Sequence, residues 1–145
     1  MLPDSIELII VTPERQLLRE KVVEVTLPGA DGQLGVLPGH APLITELGIG
    51  ELNYRGQGSG TGTMAIISGF AEVLGDRVTV LAETAERPEE IDVSRAEEAK
   101  KRAEERLAAA ASNPEIDWAR AAIALQRSLI RIQVARKQSS IRVGR

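Results

Sequence analysis

The chain has 145 residues, enough for one compact domain or for a small domain with an appendage. Aromatic residues make up only 2% of it, so a core must be built from Val, Ile, Leu and Ala, and the lack of cysteine excludes disulfides and thiolate sites. No apolar run approaches the roughly 18 residues that span a bilayer, and the N-terminus lacks the pattern of a signal peptide. We therefore expect a soluble protein that faces the cytoplasm.

The net charge of −3 is unevenly distributed along the chain. Residues 1–86 carry 12 acidic and 5 basic side chains, whereas residues 87–145 carry 9 acidic and 13 basic ones. No acidic residue follows Asp117. This asymmetry is typical of a C-terminal part that meets an acidic partner, which can be a protein, a nucleotide or a nucleic acid.

Short strands separated by turn signals are predicted in residues 1–86. Ile6–Val11 is an apolar run that ends at a proline, and Val22–Leu27 alternates with the period of a half-buried strand. Turn residues at spacings of roughly 8–12 indicate a β-sandwich or flattened barrel. The further predicted strands are Pro42–Leu47, Gly50–Tyr54, Met64–Ile67, Phe70–Leu74 and Val78–Ala82, with turns at Gly29–Gly32, Gly48, Ser68-Gly69 and Gly75-Asp76.

The segment Gly32–Leu43 combines turn residues with apolar ones. Its glycines permit positive φ and its prolines fix φ, while Leu34, Val36 and Leu37 suit a short buried strand. We predict a tight β-corner at the surface. The only histidine, His40, lies in this corner and is interpreted as a structural or contact residue rather than a catalyst.

The glycine-rich segment Gly56–Gly62 has the composition of a phosphate-binding loop. It lies between two predicted strands, and no helix follows that would point backbone amides at a phosphate. We therefore predict a hairpin tip.

Two helices are predicted after the composition change at Glu86–Glu90. Asp92 is expected to cap a helix from Val93 to about Ala111, and Asn113 a second helix from about Glu115 to Arg136. The short turn between them predicts an antiparallel hairpin over residues 87–138, followed by a basic tail, residues 139–145, that is disordered or makes an extra contact. The expected apolar stripes are Val93, Ala96, Ala99, Ala103, Leu107 and Ala110, and Ile116, Ala119, Ile123, Ile130 and Val134.

The alanine-rich stripe predicts a weakly held hairpin, because alanine buries little apolar surface. Such an amphipathic pair can open and lie on another surface. The fold class predicted from the whole chain is α+β, mainly β: an N-terminal sandwich followed by a two-helix hairpin.

A charged constellation is predicted at the open end of the hairpin, near Glu86. Asp92 and Arg95 share a face of the first helix, as do Arg127 and Arg131 of the second. Equal distances from the predicted turn would bring the two pairs together. They form either salt bridges of about 0–1 kcal/mol each or, because arginine is in excess, a polyphosphate site.

The residue types in this chain do not predict catalysis. One histidine, no cysteine and no acid-rich cleft pattern leave no evident triad or metal cluster. A self-contained nucleotide-binding enzyme would have to turn over ATP alone. The rival class is a nucleic-acid-binding module built on the basic last helix, but only Trp118 is available there to read bases.

Three segments resemble the epsilon subunit of bacterial F-type ATP synthases: Ile6–Pro13, Gly32–Leu43 and Ile91–Ala96 (Ile-Asp-Val-Ser-Arg-Ala). They occur in the family's order, and the likeness runs to about Lys137. The resemblance implies a non-catalytic rotor subunit, peripheral on the cytoplasmic face of the bacterial plasma membrane. Such a subunit would need no cofactor, would not insert into the membrane and would bind no nucleic acid.

The resemblance also implies partners for each part. The sandwich would bind the gamma subunit and rest on the c ring, and the extended hairpin would meet the alpha and beta subunits and restrain ATP hydrolysis. Candidate c-ring or gamma contacts are Gln33, Pro38, Gly39 and His40, where Gln33 replaces an acidic residue of many members. Candidate beta contacts are Arg120, Arg127, Arg131, Arg136 and Lys137.

Some members of the family bind regulatory ATP through an Ile-Asp-x-x-Arg-Ala motif and two arginines of the last helix. The resemblance therefore implies a candidate ATP site that would favour the compact hairpin. Its residues here are Ile91, Asp92, Arg95, Ala96, Arg127 and Arg131, with Glu86 as a further candidate.

Overall fold

A computed structural model describes residues 2–143 of the chain, with side chains described from residue 2 to residue 137. The chain divides into two compact units, Met1–Glu86 and Arg87–Arg145. The division follows Glu86, where the charge balance of the sequence changes.

Six strands form the first unit. They are β1 (Ile6–Val11), β2 (Gln16–Gly29), β3 (Gly32–Val36), β4 (Leu43–Gly56), β5 (Thr61–Leu74) and β6 (Arg77–Glu86). The strand order is β1-β6-β5-β4-β2-β3, and β1 also pairs with β2, so five strands close into a barrel while β3 extends β2 as a hairpin. Closure leaves few unpaired edges, and the predicted sandwich or flattened barrel is confirmed.

Alternating side chains of these strands fill one aliphatic core. On β1, Leu8 and Ile10 are fully buried, as the apolar run predicted. The same alternation buries Val25 and Leu27 of β2. The other fully buried large side chains are Val22, Val36, Leu47, Leu52, Met64, Ile66, Val78 and Val80.

Two predicted turns are bends within continuous strands. The separate strands predicted on either side of Gly48 form the single strand β4, and those on either side of Ser68-Gly69 form β5. Ser68 and Gly69 adopt positive φ angles of 59° and 139°, which bend β5 without ending it. A Cβ at Gly69 would collide with the carbonyl oxygen of Leu81, so only glycine fits this bend.

The other predicted turns lie where the sequence placed them. Gly29–Gly32 joins β2 to β3, and Gly75-Asp76 joins β5 to β6. The glycine-rich segment is a hairpin tip between β4 and β5, closed by a hydrogen bond of 2.7 Å from the Gly56 N–H to the Gly60 carbonyl oxygen. A strand follows it, so it has no helix N-terminus with which to bind phosphate.

The second unit holds a short 3₁₀ helix (Pro88–Glu90), α1 (Val93–Ala110) and α2 (Trp118–Val143). Asp92 caps α1 as predicted, because its Oδ1 accepts a hydrogen bond of 3.1 Å from the Arg95 N–H. The two helices pack against each other, and α2 also packs against the 3₁₀ helix.

The turn between the helices is longer than predicted. Asn113 does not cap α2: its Oδ1 accepts from the Glu115 N–H at 3.0 Å and closes a local turn. Asp117 caps α2 instead, by accepting from the Arg120 N–H at 3.1 Å. The helix therefore begins at Trp118, because the residue that caps it stands four positions after the predicted cap.

The helix seam is made of small residues on the α1 side and of both small and large aliphatic residues on the α2 side. On α1, Ala96 and Ala103 are buried as predicted, whereas Val93 is exposed. On α2, the predicted Ile130 and Val134 are buried, but Ala119 and Ile123 are exposed. The other buried positions of α2 are Ala121, Ser128, Ile132 and Ala135, whose steps of seven, four and three residues follow a helix seam.

The backbone of α2 is described as helical as far as Val143, beyond the predicted end at Arg136. The tail predicted for residues 139–145 therefore starts within this helix. Its side chains, with residues 144 and 145, lie outside the described residues.

Candidate functional site

The corner after β3 is a rigid surface turn. The His40 N–H donates to the Leu37 carbonyl oxygen at 3.1 Å, and Gly39 has a φ of 88°. The His40 ring is itself engaged, with Nδ1 2.6 Å from the Ala41 carbonyl oxygen. Gln33 on β3 is exposed and pairs with Pro28 on β2. The corner thus presents a fixed shape and an occupied imidazole, which suits contact rather than proton transfer.

An apolar patch lies on the outer face of β4, β5 and β6. We name Ile44, Phe70 and Leu81 the outer patch; their exposed fractions are 72%, 56% and 55%. Phe70 pairs directly with Leu81 on one side and with Glu46 on the other. Glu72 pairs with Ile44, so acidic side chains alternate with the apolar ones.

Sequence reasoning missed the outer patch. Phe70 is the only phenylalanine of the chain, and it stands next to the buried Ala71 on an alternating strand. A large apolar residue at an outward position was the available signal. Its neighbours across the sheet depended on a strand order that the sequence does not contain.

The hairpin residues predicted to bind a nucleotide do not all lie at the same height along the pair of helices. The turn runs from residue 111 to residue 117, and equal distances from its centre place Arg131 level with Glu97. Arg136 forms an ion pair with the same Glu97 at 3.8 Å. Asp92 lies five positions before Glu97, more than one helical turn farther from the loop. The convergence predicted from a turn at Asn113 is therefore displaced along α1.

The candidate side chains differ in their surroundings. Ile91 and Ala96 are buried, and the Asp92 carboxylate is engaged in capping α1. Arg95 and Arg127 are exposed, and among residues 2–137 neither guanidinium forms an ion pair. They remain available to an anionic ligand or partner. Glu86 is half-buried at the end of β6, in the first unit.

The basic face of α2 is largely open. Arg120, Arg127 and Arg131 follow each other at seven and four residues and share this face, on which Arg131 is half-buried and the other two are exposed. Arg136 and Lys137 are exposed as well but lie on other faces of the helix, and Arg136 pairs with Glu97 of α1. An exposed set of charges of one sign suits an acidic partner surface better than a folded core.

Neither a metal centre nor a membrane span is found in the described part of the chain. Residues 2–137 contain no group of three His, Asp or Glu side chains placed to hold a metal ion. No described helix is long and apolar enough to cross a membrane. An open depression of about 680 Å³ in the first unit includes Glu7, whose carboxylate is paired with Arg19 at 3.2 Å and Arg77 at 3.4 Å.

Two family models match the chain in sequence order. The model described as ATP synthase, Delta/Epsilon chain, beta-sandwich domain matches residues 5–88. The model described as ATP synthase, Delta/Epsilon chain, long alpha-helix domain matches residues 89–136. The matches thus cover both structural units.

Curated relatives of the chain are named ATP synthase epsilon chain. The ATP synthase epsilon chain of Koribacter versatilis is 59% identical over 104 residues, which are 72% of each chain. The ATP synthase epsilon chain of Syntrophobacter fumaroxidans is 48% identical over 134 residues, which are 92% of this chain and 98% of the relative.

Solved structures agree on the fold. A chain of the Euglena gracilis mitochondrial ATP synthase, from a structure of OSCP, F1 and the c ring, matches with a TM-score of 0.78 and 27% identity over 93% of this chain and 83% of that one. A chain of the Tetrahymena thermophila mitochondrial ATP synthase central stalk and c ring has a TM-score of 0.58 and 14% identity, with 92% and 95% covered. At this identity the second likeness supports the fold alone.

Both units and their order therefore have counterparts in one family. The matched residues include all three segments on which the resemblance rested. The confirmed architecture, a β-barrel followed by two helices, is that of the same family. The chain belongs to the epsilon chain family of bacterial F-type ATP synthases, whose members are subunits of the central stalk.

Proposed function

We propose that the chain is a non-catalytic rotor subunit that connects the catalytic head to the c ring and restrains ATP hydrolysis through its hairpin. The observation that carries this proposal is the contrast between a closed barrel and a hairpin whose first helix buries only alanines and whose second helix has an open basic face. The barrel suits permanent attachment, and the hairpin suits a reversible contact. The subunit works at the cytoplasmic face of the membrane as a peripheral component.

The gamma subunit is proposed to bind the outer patch. Exposed aliphatic and aromatic side chains on a rigid sheet are the usual anchors of a protein interface. Glu46 and Glu72 pair with patch residues, so a partner helix with apolar residues flanked by Lys or Arg is complementary to it. This assignment adds Ile44, Phe70 and Leu81 to the candidate contacts.

The c ring is proposed to meet the corner formed by Gln33, Pro38, Gly39 and His40. The turn is fixed by its backbone hydrogen bond and by the φ of Gly39. A preorganised turn loses little conformational entropy on binding. Gln33 supplies an uncharged amide, so this contact relies on shape and hydrogen bonds.

The hairpin is proposed to inhibit hydrolysis by opening. Separation of the helices costs α1 little apolar burial, because its buried residues are Ala96 and Ala103. The basic face then meets an acidic segment of the beta subunit, next to alpha. Regulatory ATP, held by exposed arginines such as Arg95 and Arg127, would retain the compact form if it binds that form more tightly.

A charge-reversal experiment in the assembled complex tests this function. The complex is reconstituted with the full chain carrying Arg120→Glu, Arg127→Glu and Arg131→Glu, and ATP hydrolysis is measured. We expect inhibition to weaken about tenfold, because three attractive charges become repulsive. The matched control reverses three exposed cations of α1: Lys101→Glu, Arg102→Glu and Arg106→Glu.

The control separates a specific contact from net charge. Equal loss of inhibition in both triple variants would contradict a contact made by α2. Unchanged inhibition in the α2 variant would refute the proposed role of its basic face. Binding of the chain to gamma should be the same in both variants, since the outer patch is untouched.

A further inference from the structure

The 3₁₀ helix Pro88–Glu90 is a second support for α2. It precedes α1 in the chain, yet α2 packs against it as well as against α1. The following residue, Ile91, is buried. Detaching α2 from α1 therefore also requires detaching it from this short element.

The 3₁₀ helix is closed by its last residue, Glu90, and by Arg87, the residue that precedes the helix. The Glu90 carboxylate accepts the Arg87 N–H at 3.3 Å, and its other oxygen lies 3.6 Å from the Arg87 guanidinium. In the backbone, the Glu90 N–H donates to the Arg87 carbonyl oxygen at 3.0 Å. Pro88 fixes φ at the first helical position. One residue pair thus holds the shape of the element.

The seam that this element supplements is weak on its α1 side. There the buried residues are Ala96 and Ala103, whereas α2 buries Ala121, Ser128, Ile130, Ile132, Val134 and Ala135. Because the two alanines of α1 remove little surface from water, contacts of α2 with the 3₁₀ helix add to what keeps the hairpin closed.

We propose that the 3₁₀ helix is a clasp: it holds α2 in the compact hairpin, and α2 must leave it for the hairpin to open. The inference rests on the proposed function in one respect, since a clasp regulates hydrolysis only if the open form is the inhibitory one. Loss of the Arg87–Glu90 closure loosens the clasp and shifts the hairpin toward the open form.

Distances within the isolated full chain test the clasp. The chain has no cysteine, so spin labels can be placed uniquely at Ser94→Cys on α1 and Gln126→Cys on α2, both exposed. Pulsed electron resonance then separates a short, compact distance from a long, open one. We expect Glu90→Ala to raise the open fraction about fivefold, the usual size of a lost helix-cap interaction.

Two further variants make the result specific. Glu89→Ala removes an equal charge from the same 3₁₀ helix without touching the closure and should leave the open fraction unchanged. Glu90→Gln keeps an acceptor for the Arg87 N–H and should restore most of the compact form. Equal open fractions for Glu90→Ala and Glu89→Ala would overturn the clasp.

The failure of the clasp and that of the proposed function give different results. Hydrolysis by the reconstituted complex is measured with the same variants. A shifted distance without a change in hydrolysis leaves the clasp and refutes inhibition by opening. Unshifted distances with full α2-dependent inhibition refute the clasp alone.

Discussion

The barrel and the hairpin both pack aliphatic side chains, but they bury different ones. The barrel buries whole Leu, Ile and Val side chains inside strands that close on themselves. In the hairpin, α1 buries only Ala96 and Ala103, and α2 buries Ile130, Ile132 and Val134 beside smaller residues. Full burial of a Leu or Ile contributes about 1.5–3 kcal/mol, several times the share of a single methyl group. The two units thus differ in the size of the side chains that they bury, most clearly between the barrel strands and α1.

The largest effect is expected from emptying the barrel core. Leu52 of β4 is fully buried, and Leu52→Ala should lower the free energy of unfolding by about 2–5 kcal/mol through lost burial and a residual cavity. Urea denaturation followed by circular dichroism measures this. Leu129→Ala on the exposed side of α2 is the control and should change the same quantity by less than about 1 kcal/mol. Similar losses in the two variants would contradict the difference in packing.

A binding effect of comparable size is expected on the barrel surface. Phe70→Ser removes the centre of the outer patch and should weaken binding to gamma about 30-fold, the effect of a lost aromatic hot spot. Its unfolding midpoint should stay near that of the parent, because Phe70 faces outward. Titration of labelled chain with gamma measures the affinity. An unchanged affinity with an unchanged fold would remove the patch from the interface.

A smaller effect is expected from crowding the helix seam. Ala103→Leu adds three carbons where α1 and α2 approach closely and should destabilise the hairpin by about 1–3 kcal/mol without affecting the barrel. Amide hydrogen exchange resolves the two units. Ala108→Leu, at an exposed position of α1, is the control. Loss of amide protection in the barrel strands would show that the stability of the barrel depends on the packing of the helix seam.

The sequence predicted the strand pattern well where alternation is local. The burial of Leu8 and Ile10 in β1 and of Val25 and Leu27 in β2 followed from local alternation, as did the cap at Asp92. Val22 is buried as well, against the predicted alternation, because the pairing of β2 with β4 shifts register between Val22 and Glu24. Ser68-Gly69 was interpreted as a turn because its composition is that of a turn. The strand continues there because β4 and β6 pair with it on both sides. That constraint comes from barrel closure, which no single segment contains.

The candidate sites were predictable to different degrees. The corner at His40 followed from its glycines and prolines, and the charged side chains of the hairpin followed from their spacing. The outer patch did not, because each strand contributes only one of its residues and strand order brings them together. The position of Arg131 relative to α1 depended on where α2 begins, and α2 is capped by Asp117 rather than by the predicted Asn113.

The smallest predicted effect distinguishes those two caps. Asp117→Ala should destabilise the hairpin by about 0.5–2 kcal/mol, because the Arg120 N–H loses its acceptor at the start of α2. Asn113→Ala should cost less, since Asn113 closes a turn that lies outside the helix. Helicity during thermal unfolding measures both. If Asn113→Ala were the more damaging change, α2 would begin earlier, and Arg131 would return to the level of Asp92. Which of the two substitutions destabilises the hairpin more therefore shows where α2 begins. That start sets the alignment of α2 along α1, and with it the side chains that a nucleotide or the beta subunit would contact.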